Sequence, residues 1–429
     1  MKREDSSSIK RKKTALLRPK IVVVGAGFAG LRAVKGLRDV DAEVLLLDSH
    51  NYHTFIPLLY QVATGFIEPE LIAYPLRSVL RNYSNTNFLM AEVKRIDLKS
   101  KTVVIDGQTI AYDYLVIATG SQTNFLEVSG APQHTLPLRT LENAITLRNH
   151  IIHCFELAAK LSKEDIIQKE QLMTFVIVGG GPTGIEMAGA LQELIRNCLA
   201  KDYPQLKMRQ AKVILLQSGE SLLSTYPKRL SKYTLRQLRD RGIKVHFHSR
   251  VNAATPTAVY LEDGTSITTS TIIWTAGVKA NIPQSEEDVT TAYKKKVEVL
   301  ATLQLPEYPQ VYAVGDIAYV EQDGKPLLGV APEALQQGRA VAENIRQQLK
   351  GKTPKAFDYF NKGTAAIIAR NAGVTHLFGK IPLGGFFAWL LWLGIHLYYL
   401  PGLSNRFKVL GAWIKDYIWR DRASMPIIF

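Results

Sequence analysis

Short apolar runs that end at glycine dominate the hydrophobic pattern of this chain. The first run, residues 21–24, leads directly into Gly25-x-Gly27-x-x-Gly30, and apolar residues at helical spacing follow it. Four consecutive β-branched residues predict a buried strand, and the glycines predict a tight turn at the start of a helix. The next apolar run, Glu43–Asp48, ends in an acid. This order is typical of a dinucleotide-binding unit, because a pyrophosphate can lie on the N–H groups at the helix N-terminus. A glycine-rich turn in another kind of α/β protein is the alternative.

The same pattern occurs again in the middle of the chain. Residues 175–178 form an apolar run before Gly179-x-Gly181-x-x-Gly184, and residues 212–217 supply a partner strand that ends in Gln217. Two further buried runs, residues 112–120 and 270–277, end in the related turns Ala-Thr-Gly and Thr-Ala-Gly. Two glycine motifs in one chain imply two nucleotide sites, and hence electron transfer between two dinucleotides.

Weaker patterns connect these units. The loop at residues 49–65 is rich in aromatic and polar residues, so it either wraps a cofactor or is an ordinary packed loop. A buried run at residues 310–316 ends in Gly-Asp, and residues 331–349 predict a helix that tolerates Pro332 in its first turn. The remaining predictions are strands at residues 88–96, 102–105, 241–247 and 258–261, a helix at residues 141–161, and a polar linker at residues 163–171.

The pattern changes near the C-terminus. Residues 384–403 contain no Lys, Arg, Asp or Glu, but proline and glycine bracket the segment and His396 interrupts it. Residues 405–420 carry an apolar stripe at helical spacing, with Lys408 and Lys415 to one side. Such a stripe predicts a helix that lies in a membrane interface. A core-packed helix pair or a dimer interface is the alternative, and a spanning helix is less favoured.

Charge is concentrated at the two ends of the chain. The protein has 429 residues, enough for two or three domains, and a net charge of +15. Residues 1–20 carry a net charge of +6 and residues 350–429 carry +8, which leaves the middle nearly neutral. Basic ends suggest an anionic membrane or nucleic acid as a partner. No nucleic-acid motif is present, and the C-terminal cations alternate with Trp, Leu and Tyr, so a membrane is favoured over nucleic acid.

The cysteines give little indication of chemistry. Cys154 and Cys198 are the two cysteines of the chain, and neither belongs to a CxxC or metal-type spacing. We therefore expect no metal site and no disulfide framework, only reduced thiols in a cytosolic protein. The N-terminus lacks the apolar core of a secretory signal, so residues 1–18 are predicted to be a basic, solvated tail.

With these motifs in view, the chain resembles the type II NAD(P)H:quinone oxidoreductases (NDH-2), flavoproteins with two dinucleotide-binding domains. The resemblance extends from Lys20 to the C-terminus and is most specific at residues 51–65, a segment that generic flavoprotein reductases lack. It implies an α/β fold with two Rossmann-like domains and a C-terminal amphipathic helical region for membrane association. The expected domains are an FAD-binding domain at residues 19–165 and 286–350, an NAD(P)H-binding domain at residues 166–285, and the membrane-association region at residues 351–429.

The resemblance implies FAD at the first glycine motif and NADH or NADPH at the second. Asp48 would hold the FAD ribose, and Asp316 would lie at the ribityl–phosphate region. The other positions expected on FAD are Gly25, Gly27, Phe28, Ala29, Gly30, Ser49, Gln61, Val93, Ala118, Thr119, Gly120 and Gly315. Those expected on the nicotinamide dinucleotide are Gly179, Gly181, Pro182, Thr183, Gly184, Gln217, Ala276 and Gly277.

Three residues are expected to serve the reaction itself. The resemblance puts Glu186 near the nicotinamide and the flavin, where a buried carboxylate could relay protons. The alternative for Glu186 is an acid that stabilises a helix N-terminus. Gln336 matches a family glutamine near the quinone head group, and Lys362 matches a lysine that approaches the flavin. The implied reaction passes hydride to flavin N5 and then two electrons to a membrane quinone, without a metal and without proton pumping.

Two residues depart from the family pattern. Pro332 replaces a usual glutamine, so the quinone site is expected to differ in shape. Gln217 replaces the acid that holds the adenosine ribose, and a neutral amide does not repel a 2′-phosphate. We therefore predict that NADPH is tolerated and leave a preference for NADPH open.

Two other classes share parts of the pattern. Sulfide:quinone oxidoreductases need redox cysteines near the flavin, and this chain has none after Cys198. Disulfide reductases need a CxxxxC pair, which is absent. An apoptosis-inducing-factor-like flavoprotein that acts through a protein partner is supported only by fold analogy. The family further implies peripheral attachment to the cytoplasmic face of a bacterial inner membrane, or to a thylakoid or plasma membrane, and homodimers are common in it.

Overall fold

The computed structural model describes residues 18–285, 291–292, 296–419 and 426–427. Of the predicted basic tail, all but residue 18 lies outside the described residues. The helices are Phe28–Leu37, Leu59–Ala63, Leu76–Leu80, Ala131–His134, Leu141–Lys160, Ile166–Leu172, Pro182–Leu194, Ala200–Asp202, Lys228–Asp240, Ala331–Gln348, Phe386–Tyr399 and Leu403–Trp419. A π-helical turn at Ile195–Leu199 continues the seventh of these helices.

A six-stranded sheet contains the first glycine motif. Its strand order is Gln304–Leu305, Tyr308–Ala313, Tyr114–Ile117, Lys20–Val24, Glu43–Asp48 and Thr86–Met90. All neighbours pair in parallel except the first two. The inner strand Lys20–Val24 is almost fully apolar, as expected for a strand buried on both faces. Two helices that contact each other, Phe28–Leu37 and Ala331–Gln348, belong to this layer.

A five-stranded parallel sheet contains the second glycine motif. Its strand order is Leu136–Pro137, Thr271–Trp274, Thr174–Val178, Lys212–Leu216 and Lys244–His246. The edge strand Leu136–Pro137 comes from the segment that the sequence assigned to the other domain. Apart from the antiparallel edge strand Gln304–Leu305, both large sheets are parallel, as expected of Rossmann-like units, and the predicted fold class is confirmed.

Short strands surround the two large sheets. They form the groups Gln284–Ser285, Arg95–Asp97, Thr102–Ile105 and Gln108–Ala111; Val251–Ala254, Ala258–Leu261 and Ser266–Thr268; Thr291–Ala292, Lys296–Glu298 and Ala318–Tyr319; Ser121–Thr123 and Val278–Ala280; Tyr52–Thr54 and Ala73–Pro75; and Glu321–Gln322 and Lys325–Pro326.

Two local predictions need correction. The strand expected at residues 88–96 is two strands in different sheets, and most of the expected linker at residues 163–171 belongs to the helix Ile166–Leu172.

The C-terminal region begins with a small sheet that the sequence analysis did not predict. Gly363–Ala369, Ala372–Leu377 and Ile381–Gly385 form three antiparallel strands, which pack on the helix Pro182–Leu194. The predicted apolar and amphipathic segments then form the helices Phe386–Tyr399 and Leu403–Trp419. Among the described residues, no helix is both long and apolar enough to cross a membrane.

Candidate functional site

The two glycine turns have nearly the same backbone geometry. Gly25 has φ +101° and its N–H donates to Leu47 O at 2.8 Å, while Gly179 has φ +116° and its N–H donates to Leu216 O at 2.9 Å. Side chains rarely adopt such φ angles, so glycine is required at both positions. Each turn thus leaves its strand and enters its helix in the same way.

The later glycines of each motif have two different roles. A Cβ on Gly30 would lie 1.8 Å from Gly25 O, and a Cβ on Gly184 would lie 1.9 Å from Gly179 O. These two glycines therefore allow each helix to pack on its turn. In contrast, a Cβ on Gly27 or Gly181 would meet nothing within 4 Å. The space beside these N-cap residues, next to the N–H groups of the first helical turn, fits a pyrophosphate.

Asp48 and Gln217 occupy equivalent places at the ends of their strands. Asp48 Oδ2 accepts a hydrogen bond from the Ala26 N–H at 2.6 Å, and Gln217 Oε1 accepts one from the Gly180 N–H at 2.9 Å. Each side chain thus accepts from the middle of its glycine turn. Gln217 keeps this structural bond but carries no charge.

The backbone turns at residues 118–120 and 275–277 lie against the two glycine turns. A Cβ on Gly25 would lie 2.4 Å from Ala118 O, and a Cβ on Gly179 would lie 3.0 Å from Ala276 N. The turns end in Gly120 and Gly277, with φ angles of +70° and +73°. The following strands, Ser121–Thr123 and Val278–Ala280, pair antiparallel, so the two sites lie side by side. Thr119 Oγ1 adds a bond to Asn281 O at 2.6 Å.

Asp316 belongs to a polar network that sequence reasoning missed. Its Oδ2 accepts hydrogen bonds from Arg139 Nη2 and from Ser121 Oγ, both at 2.7 Å. The Gly315 N–H donates to Gln337 Oε1 at 2.6 Å. Arg139 lies 177 residues from Asp316 along the chain, so no local pattern indicated this ion pair.

Gln336 and Lys362 each form hydrogen bonds to an aromatic residue. The Gln336 side chain donates to Phe360 O and accepts from the Phe360 N–H, both at 3.0 Å. Lys362 is exposed, and its Nζ donates to Tyr399 Oη at 3.1 Å. The adjacent Gln337 is the buried glutamine that contacts the glycine turn before Asp316.

The remaining predicted positions lie around the two turns. Phe28 packs edge-on against His53 and Phe55, Ala29 is buried in its helix, and Ser49 Oγ contacts the His50 ring. Val93 is half-buried against the core of the first sheet. Pro182 and Thr183 are exposed in the first turn of the second motif's helix.

Glu186 lies on the wall of a large cavity beside the C-terminal helices. The cavity has a volume of about 640 Å³, and most of its lining is apolar. It is lined by Tyr60, Gln61, Phe66, Glu186, Ala190, Glu193, residues 367–370, Phe386, Trp389, Leu390, Leu393, Gly394, Leu397, Leu410, Trp413, Ile414 and residues 416–418. Gln61 is held there by Trp413 Nε1, which donates to its Oε1 at 2.9 Å.

Burial governs the protonation of Glu186. The side chain is buried, and this burial raises the pKa of its carboxyl to about 8. The Ile367 N–H, which donates to Oε1 at 3.3 Å, favours the charged form and only partly opposes this effect. A carboxyl with this pKa can hold or release a proton near neutral pH. Of the three residues expected to serve the reaction, Glu186 is the one that lines the cavity.

Known proteins match both the fold and the sequence of this chain. The family model for pyridine nucleotide-disulphide oxidoreductases matches residues 19–338. Two type II NADH:quinone oxidoreductases of Mycobacterium tuberculosis, Ndh and NdhA, are 33% and 35% identical to the chain; each match covers 96% of this chain, and 90% and 89% of the relatives. A type II NADH:quinone oxidoreductase of Staphylococcus aureus is 28% identical, over 86% of this chain and 92% of its own length.

Solved structures show the same fold at lower identity. The NDH2 of Plasmodium falciparum in complex with NADH has a TM-score of 0.86 at 18% identity, and the match covers 96% of this chain and all of that one. The sulfide:quinone oxidoreductase of Aquifex aeolicus has a TM-score of 0.70 at 20% identity, over 93% and 95% of the two chains. The protein is thus of the pyridine nucleotide-disulphide oxidoreductase class. Within that class, the chain belongs to the type II NADH:quinone oxidoreductases, a family of enzymes, as its sequence motifs predicted.

Proposed function

We propose that this enzyme oxidises NADH or NADPH and reduces a membrane quinone, with FAD as its resident cofactor. The cavity of about 640 Å³ that joins Glu186 to the two C-terminal helices carries this proposal. An apolar cavity with a few polar groups suits a quinone head group and its isoprenoid tail. Its lining from both helices supports entry of the quinone on the side that the helices form.

The two glycine turns support the assignment of two dinucleotides. The open space at Gly27 and the Asp48 carboxylate suit FAD in the first site. The equivalent space at Gly181 suits the nicotinamide dinucleotide in the second. Bound flavin would supply two-electron transfer between the nicotinamide and the quinone. The Arg139 guanidinium holds Asp316 in place beside the first site, and Glu186 holds a proton beside the cavity.

The proposal includes NADPH as a donor because of Gln217. An acid at this position would repel a 2′-phosphate, whereas the Gln217 amide keeps the bond to the Gly180 N–H without a negative charge. The Nε2 group of that amide carries two N–H donors, which suit either a ribose hydroxyl or a phosphate oxygen.

We further propose that the enzyme attaches to a membrane surface and that it does not pump protons. The helices Phe386–Tyr399 and Leu403–Trp419 expose large apolar side chains, among them Phe387 (78% exposed) and Phe407 (72% exposed). Exposed apolar area of this kind marks a membrane or protein contact. On a membrane, the same helices would open the cavity towards lipid-dissolved quinone.

One assay tests the central claim. Detergent-purified protein is assayed with a short-chain quinone and with NADH and NADPH side by side. Turnover of the quinone with either donor supports the proposal, and the ratio of the two kcat/KM values tests the interpretation of Gln217. If bound flavin is reduced but no quinone turns over, the cavity is not a quinone site and the proposed acceptor is wrong.

A further inference from the structure

The helix Lys228–Asp240 has a strongly basic outer face. Its exposed cations are Lys228, Arg229, Lys232, Arg236 and Arg239, and its buried residues are Leu230, Ser231, Thr234 and Leu238. At roughly 100° per residue, the five cations fall within about 100° of arc, on the side opposite the buried residues. Asp240 is the one acid within this helix.

These cations are not neutralised by acidic neighbours. Within the described part of the chain, none of the five forms an ion pair. The guanidinium carbon of Arg236 lies 5.8 Å from the centre of the Tyr233 ring, and the side chain is exposed. Five unpaired cations on one face produce a positive potential that attracts an anionic partner.

The basic helix lies next to the start of the first C-terminal helix. A Cβ on Gly384 would lie 3.5 Å from the Tyr233 ring and 3.7 Å from the Leu230 side chain. Gly384 precedes Phe386 and Phe387, which are 46% and 78% exposed. The basic helix therefore lies next to the segment that carries these exposed aromatic side chains.

A second connection runs from the end of the basic helix to the other C-terminal helix. Arg241, its C-cap, donates from Nη2 to Arg370 O at 3.3 Å. The guanidinium carbon of Arg370 lies 4.0 Å from the centre of the Tyr417 ring, and that ring lies 5.7 Å from the Trp389 ring. The end of the basic helix and the two apolar helices are thus linked by a continuous set of contacts.

We propose that the helix Lys228–Asp240 is a second membrane-contact surface, which binds anionic lipid headgroups beside the two C-terminal helices. This inference rests on the proposed membrane attachment and extends it to an element of the second nucleotide-binding unit. Apolar side chains that enter the acyl region and cations at the headgroup level form the usual pair of contacts of an interfacial protein. The bilayer composition, and not only its apolar interior, then determines how tightly the enzyme binds.

The test compares two variants of the full-length protein that lose the same charge. K232Q/R236Q/R239Q removes three cations of the basic face and leaves Lys228 and Arg229, the first two residues of the helix that follows Gln217 in the chain. K35Q/K99Q/K101Q removes three exposed cations from the other nucleotide-binding unit. Both are sedimented with vesicles of phosphatidylcholine alone, and of phosphatidylcholine mixed with phosphatidylglycerol. F387S/F407S in the same assay measures the apolar contact separately, and thermal unfolding checks the fold of each variant.

Each cation near an anionic surface contributes roughly a fivefold gain in binding, so we expect the first triple variant to lose on the order of a hundredfold on anionic vesicles. Its binding to phosphatidylcholine vesicles and its short-chain quinone turnover should equal those of wild type, and the control variant should lose far less binding to anionic vesicles.

An equal loss of binding in both triple variants, or no loss in either, would overturn the inference. If F387S/F407S still detaches from vesicles in that case, the apolar contact of the C-terminal helices stands without the basic helix. If instead the KM for NADPH rises while vesicle binding is unchanged, the cations serve the dinucleotide and not the membrane. Wild-type protein that binds neither vesicle would refute both the membrane attachment and this inference.

Discussion

The Glu186 carboxyl is buried and lies on the wall of the cavity that we propose for the quinone. Glu186→Gln keeps the shape and the bond from the Ile367 N–H but removes the titratable proton. We expect quinone turnover to fall by roughly a hundredfold, because loss of a general acid usually costs at least this much. Ferricyanide reduction, which takes up no proton, should change little. Glu193→Gln, on the same helix and cavity, is the matched control, and an equal loss there would argue against a special role for Glu186.

The same carboxyl makes stability depend on pH. Its pKa is about 8 in the folded protein, against an ordinary value of 4.5. Between these two values the folded state keeps a proton that the unfolded state has lost, so stability falls as pH rises through this interval and levels off above about pH 8. We expect the Tm of wild type to decrease from pH 6 to pH 9 more than that of Glu186→Gln. Parallel Tm curves would mean that Glu186 titrates normally.

Gln217 is the residue on which donor choice should depend. Gln217→Glu keeps an acceptor for the Gly180 N–H and adds a negative charge at the end of the strand. We expect kcat/KM for NADPH to fall about tenfold relative to that for NADH, since a like charge near a partly solvated phosphate costs roughly 1–4 kcal/mol. Gln168→Glu adds the same charge on an exposed helix and serves as control. An unchanged donor ratio would place the 2′-phosphate away from Gln217.

Elements built on the glycine motifs offer a test that separates packing from cofactor binding. Gly30→Ala would force a Cβ to 1.8 Å from Gly25 O, so we expect a large loss of stability. Gly27→Ala meets no protein atom and has an ordinary φ of −69°, so the fold should persist. It should nevertheless weaken flavin retention, because the methyl group enters the space proposed for the pyrophosphate. Thermal unfolding and the flavin absorbance of the purified variants measure the two effects, and full flavin retention in Gly27→Ala would contradict the proposed cofactor position.

The elements that could be predicted from sequence are those whose pattern is local. Both glycine turns follow buried strands and precede helices, so periodicity and spacing identified them. The C-terminal sheet was missed because it depends on a distant contact: Gly189 leaves room for Ile368 O, which a Cβ would approach to 1.7 Å. Gln336 and Gln337 lie about 100° apart on one helix, and only the packed structure shows which of them reaches Gly315.

At the scale of the whole molecule, activity on a membrane quinone should depend on the exposed aromatic side chains of the C-terminal helices. Phe387 and Phe407 lie on different helices. Transfer of each side chain from water into lipid can contribute up to roughly 2–3 kcal/mol to the binding free energy. We expect F387S/F407S to stay in the supernatant after membrane sedimentation and to lose turnover of a long-chain quinone held in vesicles. Turnover of a water-soluble short-chain quinone should remain, because neither residue lines the cavity. Ile167→Ser, at an 81% exposed position on a distant helix, controls for surface polarity. If F387S/F407S sediments with membranes like wild type, the enzyme attaches through another surface, and the entry path proposed for the quinone must be revised with it.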